Sequence, residues 1–214
     1  MHIAIISGGS ILPPFLENRI KEDNWDYVIA ADRGLEVCYA LNFTPDFMIG
    51  DFDSVSENVL AHYQNMQIPV LTYPSQKDDT DTELALKVAL EQKPERVTIY
   101  GATGTRIDHM LANISLLRLG VLHNISVEIV DDKNRIRLIS DTFHMKKTEQ
   151  YGDYISFLPM TEMVTGVTLK GFQYNLTDGV LAQGNSLGVS NQIAEEEVYV
   201  SVKNGILIMI ESKD

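Results

Sequence analysis

The sequence has one cysteine, Cys38, and one tryptophan. A single thiol excludes an intrachain disulfide and any cysteine-rich metal centre, and it fits a chain kept in the reducing cytoplasm. Flanked by apolar residues, Cys38 reads as a small buried hydrophobe. Positive charge is also scarce. The chain carries 17 Lys and Arg against 30 Asp and Glu, a formal net charge of -13. Binding a nucleic-acid backbone requires a basic surface that releases counterions, so nucleic acid is not an expected partner. A small phosphorylated ligand stays open, because a magnesium ion can supply positive charge locally. No apolar run approaches the ~20 residues of a membrane span. The start "MHIAIISGGS" lacks the basic residues and long apolar stretch of a signal peptide, so neither a membrane partner nor export is expected.

Two familiar nucleotide motifs are missing as well. There is no G-x-x-x-x-G-K-[ST], which excludes a P-loop, and no G-x-G-x-x-G follows the first apolar run. The five histidines have no metal-ligand spacing.

What is present is an alternation. Apolar runs at 3–7, 27–31, 46–50, 68–73, 96–101 and 126–131 read as buried parallel strands. Helical segments lie between most of them. Thr80-Asp-Thr-Glu83 is a capping-box pattern that opens one helix. Ile107, Met110, Leu111, Ile114 and Leu117 share one face of another that begins near Arg106. This pattern implies an α/β domain built on a doubly wound, mostly parallel sheet. After residue 132 the helical pattern stops. Short alternating runs follow: "RIRLIS", "YISFLP", "VTGVTLK", "GFQYNLT" and "EVYVSVKNGILIMIES", with "KNG" at 203–205 as a hairpin signal. Residues 1–132 are therefore expected to form the α/β domain, and residues 133–214 a small all-β sandwich.

In open parallel sheets, ligands bind at the carboxyl ends of the strands. The segments just after the first five predicted strands are "SGGS" (7–10), "ADRG" (31–34), "GDFDS" (50–54), "PSQKDDTD" (74–81) and "GATGTRIDH" (101–109). They place Asp32, Asp51, Asp53, Asp78, Asp79, Asp81 and Asp108 on one edge of the sheet. Each acid also has a plain explanation. Asp51 and Asp53 suit a turn. Asp81 and Asp108 complement a helix dipole. Asp32 beside Arg33 suits a surface ion pair. Taken together, so many like charges call for a cation, and magnesium takes carboxylates plus substrate phosphates. On this reading Ser7, Gly8, Gly9, Thr80, Gly101, Gly104 and Thr105 cradle phosphate oxygens beside helix N-termini. Arg33, Lys77 and Arg106 add cations at the same edge, and His109 follows Asp108 into it.

The ordered set "ADRG", "GDFDS", "KDDTDTELAL" and "GATGTRIDH", followed by "GFQYNLTDGVLAQGNSLGVSNQ", resembles the bacterial thiamine pyrophosphokinases over nearly the whole chain. The resemblance implies that ATP and thiamine give thiamine diphosphate and AMP, with a hydroxyl attacking the β-phosphorus. It also implies an α/β catalytic domain, a thiamine-binding sandwich, and a homodimer whose site is shared between subunits. Position by position, Asp51, Asp53, Asp78 and Asp81 resemble the acids that hold Mg2+, with Asp51, Asp53, Asp81 and Asp108 as the catalytic set. Asp32 matches the acid of "AD-x-G". Arg106 and Asp108 match the family's "R-x-D". Tyr174 stands where animal relatives carry a Trp that stacks on the thiamine pyrimidine, and Ser190 and Asn191 match the S-N pair that closes the site. Ala102 and Thr105 stand where many relatives have Gly. A magnesium-dependent phosphohydrolase and a non-catalytic nucleotide or thiamine sensor are the rival readings.

Overall fold

Five of the first six strands are short runs of almost wholly buried side chains, as a sheet covered by helices requires. They are β1 (His2–Ile6), β2 (Tyr27–Ala31), β3 (Phe47–Gly50), β5 (Arg96–Tyr100) and β6 (Ser126–Val130), while β4 (Val70–Thr72) is a partly exposed edge. The computed structural model describes residues 1–73, 78–104 and 106–214. These six strands pair in parallel in the order β4-β3-β2-β1-β5-β6. The helices between them are α1 (Pro13–Glu22), α2 (Gly34–Ala40), α3 (Glu57–Asn65), α4 (Asp81–Glu91) and α5 (Ile107–His123). Ile3, Ile5, Ile29, Ile49 and Ile99 are fully buried in this sheet, each contributing about 2 kcal/mol by leaving water. From β1 the chain builds outward through β4, then returns to the other side of β1 with β5. That reversal between β1 and β5 opens a crevice at their carboxyl ends.

Contacts divide the chain into the units Met1–Asp132 and Lys133–Asp214. The second unit contains β7 (Asn134–Ile139), β8 (Thr142–Lys146), β9 (Tyr154–Pro159), β10 (Met163–Lys170), β11 (Leu176–Ala182), β12 (Glu197–Ser201) and β13 (Leu207–Ser212). One antiparallel set runs β7-β13-β9 and the other β11-β10-β12-β8. Burial alternates along β13 and β12, and the inward residues of both sets form one core around Phe157, Phe172, Val164, Val198 and Met209. Phe157 and Phe172 meet edge to face at 5.4 Å. Among the described residues, no helix is long and apolar enough to cross a membrane.

Three expectations need correction. "KNG" is not a hairpin turn, because β12 pairs with β8 and β10 while β13 pairs with β7 and β9. The segment carries the chain from one sheet to the other, with Asn204 paired to Thr165 of β10. "GFQYN" precedes β11 rather than forming part of it, and Phe172 makes an isolated bridge to Ile193. On α5, Ile107 and Leu111 are exposed, and the buried positions are Asn113, Leu117 and Gly120. Gly120 lets the helix close on β6, since a Cβ there would meet Val127 Cγ2 at 2.4 Å.

One ion cluster sits inside the second unit. Glu211 on β13 is fully buried. Its Oε1 accepts Arg135 Nε–H and its Oε2 accepts Arg135 Nη2–H, both at 2.7 Å, and Oε2 also accepts the Tyr151 amide at 3.0 Å. Arg137 Nη2 lies 3.4 Å from Oε1. Removing one member of a buried pair strands the others, so Glu211→Ala should lower stability by about 3 kcal/mol. Urea denaturation checks this; a change within about 0.5 kcal/mol, the scale of a surface substitution, would contradict it.

Candidate active site

The crevice between β1 and β5 continues into a cavity of about 680 Å³, within the ~300–1,000 Å³ range of small-molecule sites. Five pieces of backbone build it, one of them the turn after β3, which supplies Ser54. The loop after β1 supplies Ser7, Gly8 and Gly9, and the loop after β2 supplies Asp32 and Arg33. The start of α4 supplies Thr80, Asp81 and Thr82. The loop after β5 and the start of α5 supply Gly101, Gly104, Arg106, His109 and Asn113. Two helix N-termini therefore open on the cavity, and both favour negative charge. Thr80 caps α4 by accepting the Glu83 amide at 3.2 Å.

The loops after β1 and β5 are stitched together. The amides of Ser7, Gly9 and Ser10 donate to the carbonyls of Tyr100, Gly101 and Thr103 at 2.8, 2.8 and 2.9 Å. A Cβ at residue 9 would meet the Gly101 oxygen at 2.2 Å, and Gly101 itself has φ +70°. Glycine is required here for close approach of two backbones. The Gly9 amide is committed to this stitch, which differs from a free donor aimed at phosphate. Asn113, buried on α5, donates from Nδ2 to the Ala102 oxygen at 2.8 Å and fixes the same loop from behind. Beneath it, the hydroxyls of Ser7 and Thr82 are hydrogen-bonded to each other, joining the first loop to α4.

The acids divide into two groups. Asp32 and Asp81 line the cavity. Asp32 has φ +45°, a left-handed conformation uncommon outside glycine. Its Oδ2 accepts the Ser54 hydroxyl, while its buried Oδ1 has no partner among the described residues. Burial pushes the Asp32 carboxyl above the usual range, and the Asp81 and Asp51 charges push in the same direction. Asp51, Asp53, Asp78 and Asp108 do not line the cavity. Asp51 Oδ1 accepts the Asp53 amide at 3.1 Å, which is a turn contact. Between them Phe52 is buried with φ +61°, a strained conformation for a bulky residue that costs on the order of 1–3 kcal/mol. Asp108 pairs with Arg106 at 2.6 Å, and that guanidinium holds its carboxyl down at about 2. Lys77 and Thr105 lie outside the described residues.

In the second unit, Tyr174, Ser190 and Asn191 come together. Asn191 is buried, and its side chain grips the Tyr174 backbone from both sides. Its Oδ1 accepts the Tyr174 amide at 2.9 Å, and its Nδ2 donates to the Tyr174 oxygen at 2.7 Å. The Tyr174 side chain is left 65% exposed. Ser190 has φ +59° and donates its amide to Ser156 Oγ.

A family model described as thiamin pyrophosphokinase, catalytic domain, matches residues 20–129, and one described as thiamin pyrophosphokinase, vitamin B1 binding domain, matches residues 140–207. The chain belongs to the thiamin pyrophosphokinase family. It is 34% identical over 214 residues to the thiamine pyrophosphokinase of Bacillus subtilis, covering 99% of each chain. The crystal structure of a Bacillus subtilis thiamine pyrophosphokinase superposes with a TM-score of 0.90 at 33% identity and full coverage of both chains. That of a Geobacillus thermodenitrificans thiamin pyrophosphokinase gives 0.86 at 33% identity, covering 100% of this chain and 98% of the other.

Within this thiamin pyrophosphokinase chain, sequence reasoning missed Ser54, Thr82 and Asn113. Ser54 lay in plain view in "GDFDS", but a serine there is indistinguishable from an ordinary turn residue. Asn113 is seven residues from Arg106 on the same helix, and that spacing was the available signal.

The raised Asp32 pKa has a direct consequence. Folding disfavours the charged form, so neutral Asn in its place relieves a cost present above the Asp32 pKa and absent once the carboxyl is protonated. Asp32→Asn should raise the melting temperature of the ligand-free protein at neutral pH and abolish turnover. The thermal gain should shrink as pH falls through the raised Asp32 value and vanish below the ordinary aspartate range, where folded and unfolded states are both protonated; a loss of thermal stability at neutral pH would contradict the account.

Proposed function

We propose that the chain transfers the diphosphate group of ATP to the hydroxyl of thiamine, giving thiamine diphosphate and AMP. Beside the family membership, the observation that carries this reading is the cavity at the β1/β5 reversal. It combines two helix N-termini, two guanidinium-bearing residues and two acids in the space a nucleotide triphosphate needs.

Arg33 and Arg106 both line the cavity and offer forked donors to phosphate oxygens. Asp108 holds the Arg106 fork by two hydrogen bonds, at 3.2 and 2.6 Å. A carboxylate with a pKa near 2 is a weak base at neutral pH, so its role is to orient Arg106 rather than to take the hydroxyl proton. The residues fit a magnesium ion. Asp32 Oδ1 is buried without a partner among the described residues, and the Asp81 and Asp51 charges act on it. Among the described residues, no three His, Cys, Asp or Glu side chains form a ready-made cage. Magnesium normally takes only one or two carboxylates, with phosphates and water completing its shell. We assign the holding role to Asp51, Asp53, Asp78 and Asp81, with Asp32 beside them. When bound, the metal offsets charge on the transferring phosphates. Asp81 and Thr80, at the start of α4, orient the nucleotide; in a loose transition state the hydroxyl proton leaves late, and no strong base is required.

Tyr174 offers an exposed ring to the thiamine pyrimidine, and Asn191 holds its backbone in place. Exposed apolar side chains are consistent with a homodimer that shares the site between subunits: Ile107 and Leu111 in the first unit, and Met163, Val180, Leu187 and Val189 in the second. The single cysteine, free and buried, fits the cytoplasm.

Incubation with ATP and magnesium, with and without thiamine, should release AMP only when thiamine is present. ADP would point to an ordinary kinase, thiamine-independent phosphate to a hydrolase, and binding without turnover to a sensor. Asp51→Asn and Asp53→Asn should each lower kcat at saturating magnesium by about a hundredfold or more, with the circular dichroism spectrum unchanged. Near-normal turnover in either variant would leave Asp51 and Asp53 as turn residues only.

A further inference from the structure

We propose that Glu36 is a positioning residue for the loop that carries Asp51 and Asp53. The inference rests on the reading of those two acids as magnesium-holding groups. Glu36 lies on α2, outside the cavity and outside every motif that marks the sheet edge. Its Oε1 accepts two hydrogen bonds from Ser56, from the amide at 2.6 Å and from the hydroxyl at 2.7 Å. Ser56 is the N-cap of α3, yet its hydroxyl makes no capping bond. The usual use of an N-cap serine is to accept an amide of its own helix. Here the hydroxyl donates backward, across 20 residues of sequence, to a different helix. The contact joins two elements instead of ending one.

What it joins is the strained turn. The segment leaves β3 at Gly50, whose missing Cβ sits 3.3 Å from the Asp32 Cα. It passes through Phe52 in a left-handed conformation and enters α3 at Ser56. A strained turn persists only when its surroundings over-determine it. Four anchors do so here. Asp32 takes the Ser54 hydroxyl, Asp51 takes the Asp53 amide, and Phe52 is buried as a plug. Glu36 closes the far end. Two of the four, Asp32 and Glu36, stand on either side of the α2 N-terminus, so α2 acts as a post to which the acidic loop is tied at both serines.

The role needs an acceptor of this shape rather than a charge, because both donors meet one oxygen. Glu36→Gln keeps such an oxygen; Glu36→Ala does not. In metal-free protein, amide exchange at Asp53 and Ser56 should quicken about tenfold in Glu36→Ala, the loss expected when a hydrogen-bond acceptor is removed. The magnesium concentration for half-maximal velocity should rise by about the same factor while kcat at saturating magnesium changes by less than about threefold, and Glu36→Gln should restore both. If Glu36→Ala fails to fold, Ser56→Ala removes only the hydroxyl donor and is read in the same way. Unchanged loop exchange in the folded variant overturns the proposal, as does Glu36→Gln behaving like Glu36→Ala. A loosened loop with unchanged magnesium half-saturation overturns the positioning role. An Asp51→Asn variant with a wild-type magnesium response overturns instead the metal reading beneath it.

Discussion

Carboxylates crowded at one sheet edge set the problem that the rest of the first unit answers. Asp32 is partly buried, feels the Asp81 and Asp51 charges, and leaves one oxygen without a partner among the described residues. Burial opposes the charged form of Asp32, and the Ser54 hydroxyl offsets only part of that cost. Burial is the larger part of the cost, and the neighbouring charges add to it. Such a cost persists where a ligand removes it, and a divalent cation with a triphosphate is a ligand of the right charge and size for this cavity.

The backbone answers the same problem with close packing. Gly9 and Gly101 allow two loops to hydrogen-bond face to face, Asn113 fixes one from behind, and the Ser7–Thr82 contact ties the other to α4. The loops are therefore rigid parts of the sheet edge and not free strings of amides. Left-handed backbone at Asp32 and Phe52 bends the chain at strand ends, and Phe52 is buried there. In the second unit a buried asparagine does comparable work, presenting Tyr174 by holding its main chain on both sides.

Much of this was legible in the sequence because buried parallel strands are short apolar runs with polar residues at their ends. All six such runs became strands, and the loops that follow them carry the acids and glycines. The helix beginning near Arg106 was legible as a helix, but its buried face was not. Apolar periodicity favoured Ile107 and Leu111, whereas packing uses Asn113, Leu117 and Gly120, a stripe with only one large hydrophobe. The strand "TFHMK" escaped notice because His and Lys interrupt its apolar pattern, although Met145 is buried in the sandwich core. "KNG" has hairpin chemistry in a place where the chain changes sheets, and local propensity cannot tell those uses apart. Left-handed φ at Asp32, Phe52 and Ser190 has no sequence signal of its own, since none of these residues is glycine. The Glu36–Ser56 tie depends on two helices meeting, which only the fold reveals.

The central claim is that the edge carboxylates are arranged for a cation and a triphosphate together. Calorimetric titration of the protein with a non-hydrolysable ATP analogue, once with magnesium and once with EDTA, tests it most directly. Without the cation the acids repel the triphosphate, so affinity should fall about a hundredfold or more when magnesium is removed. Equal or tighter binding in EDTA would contradict the account.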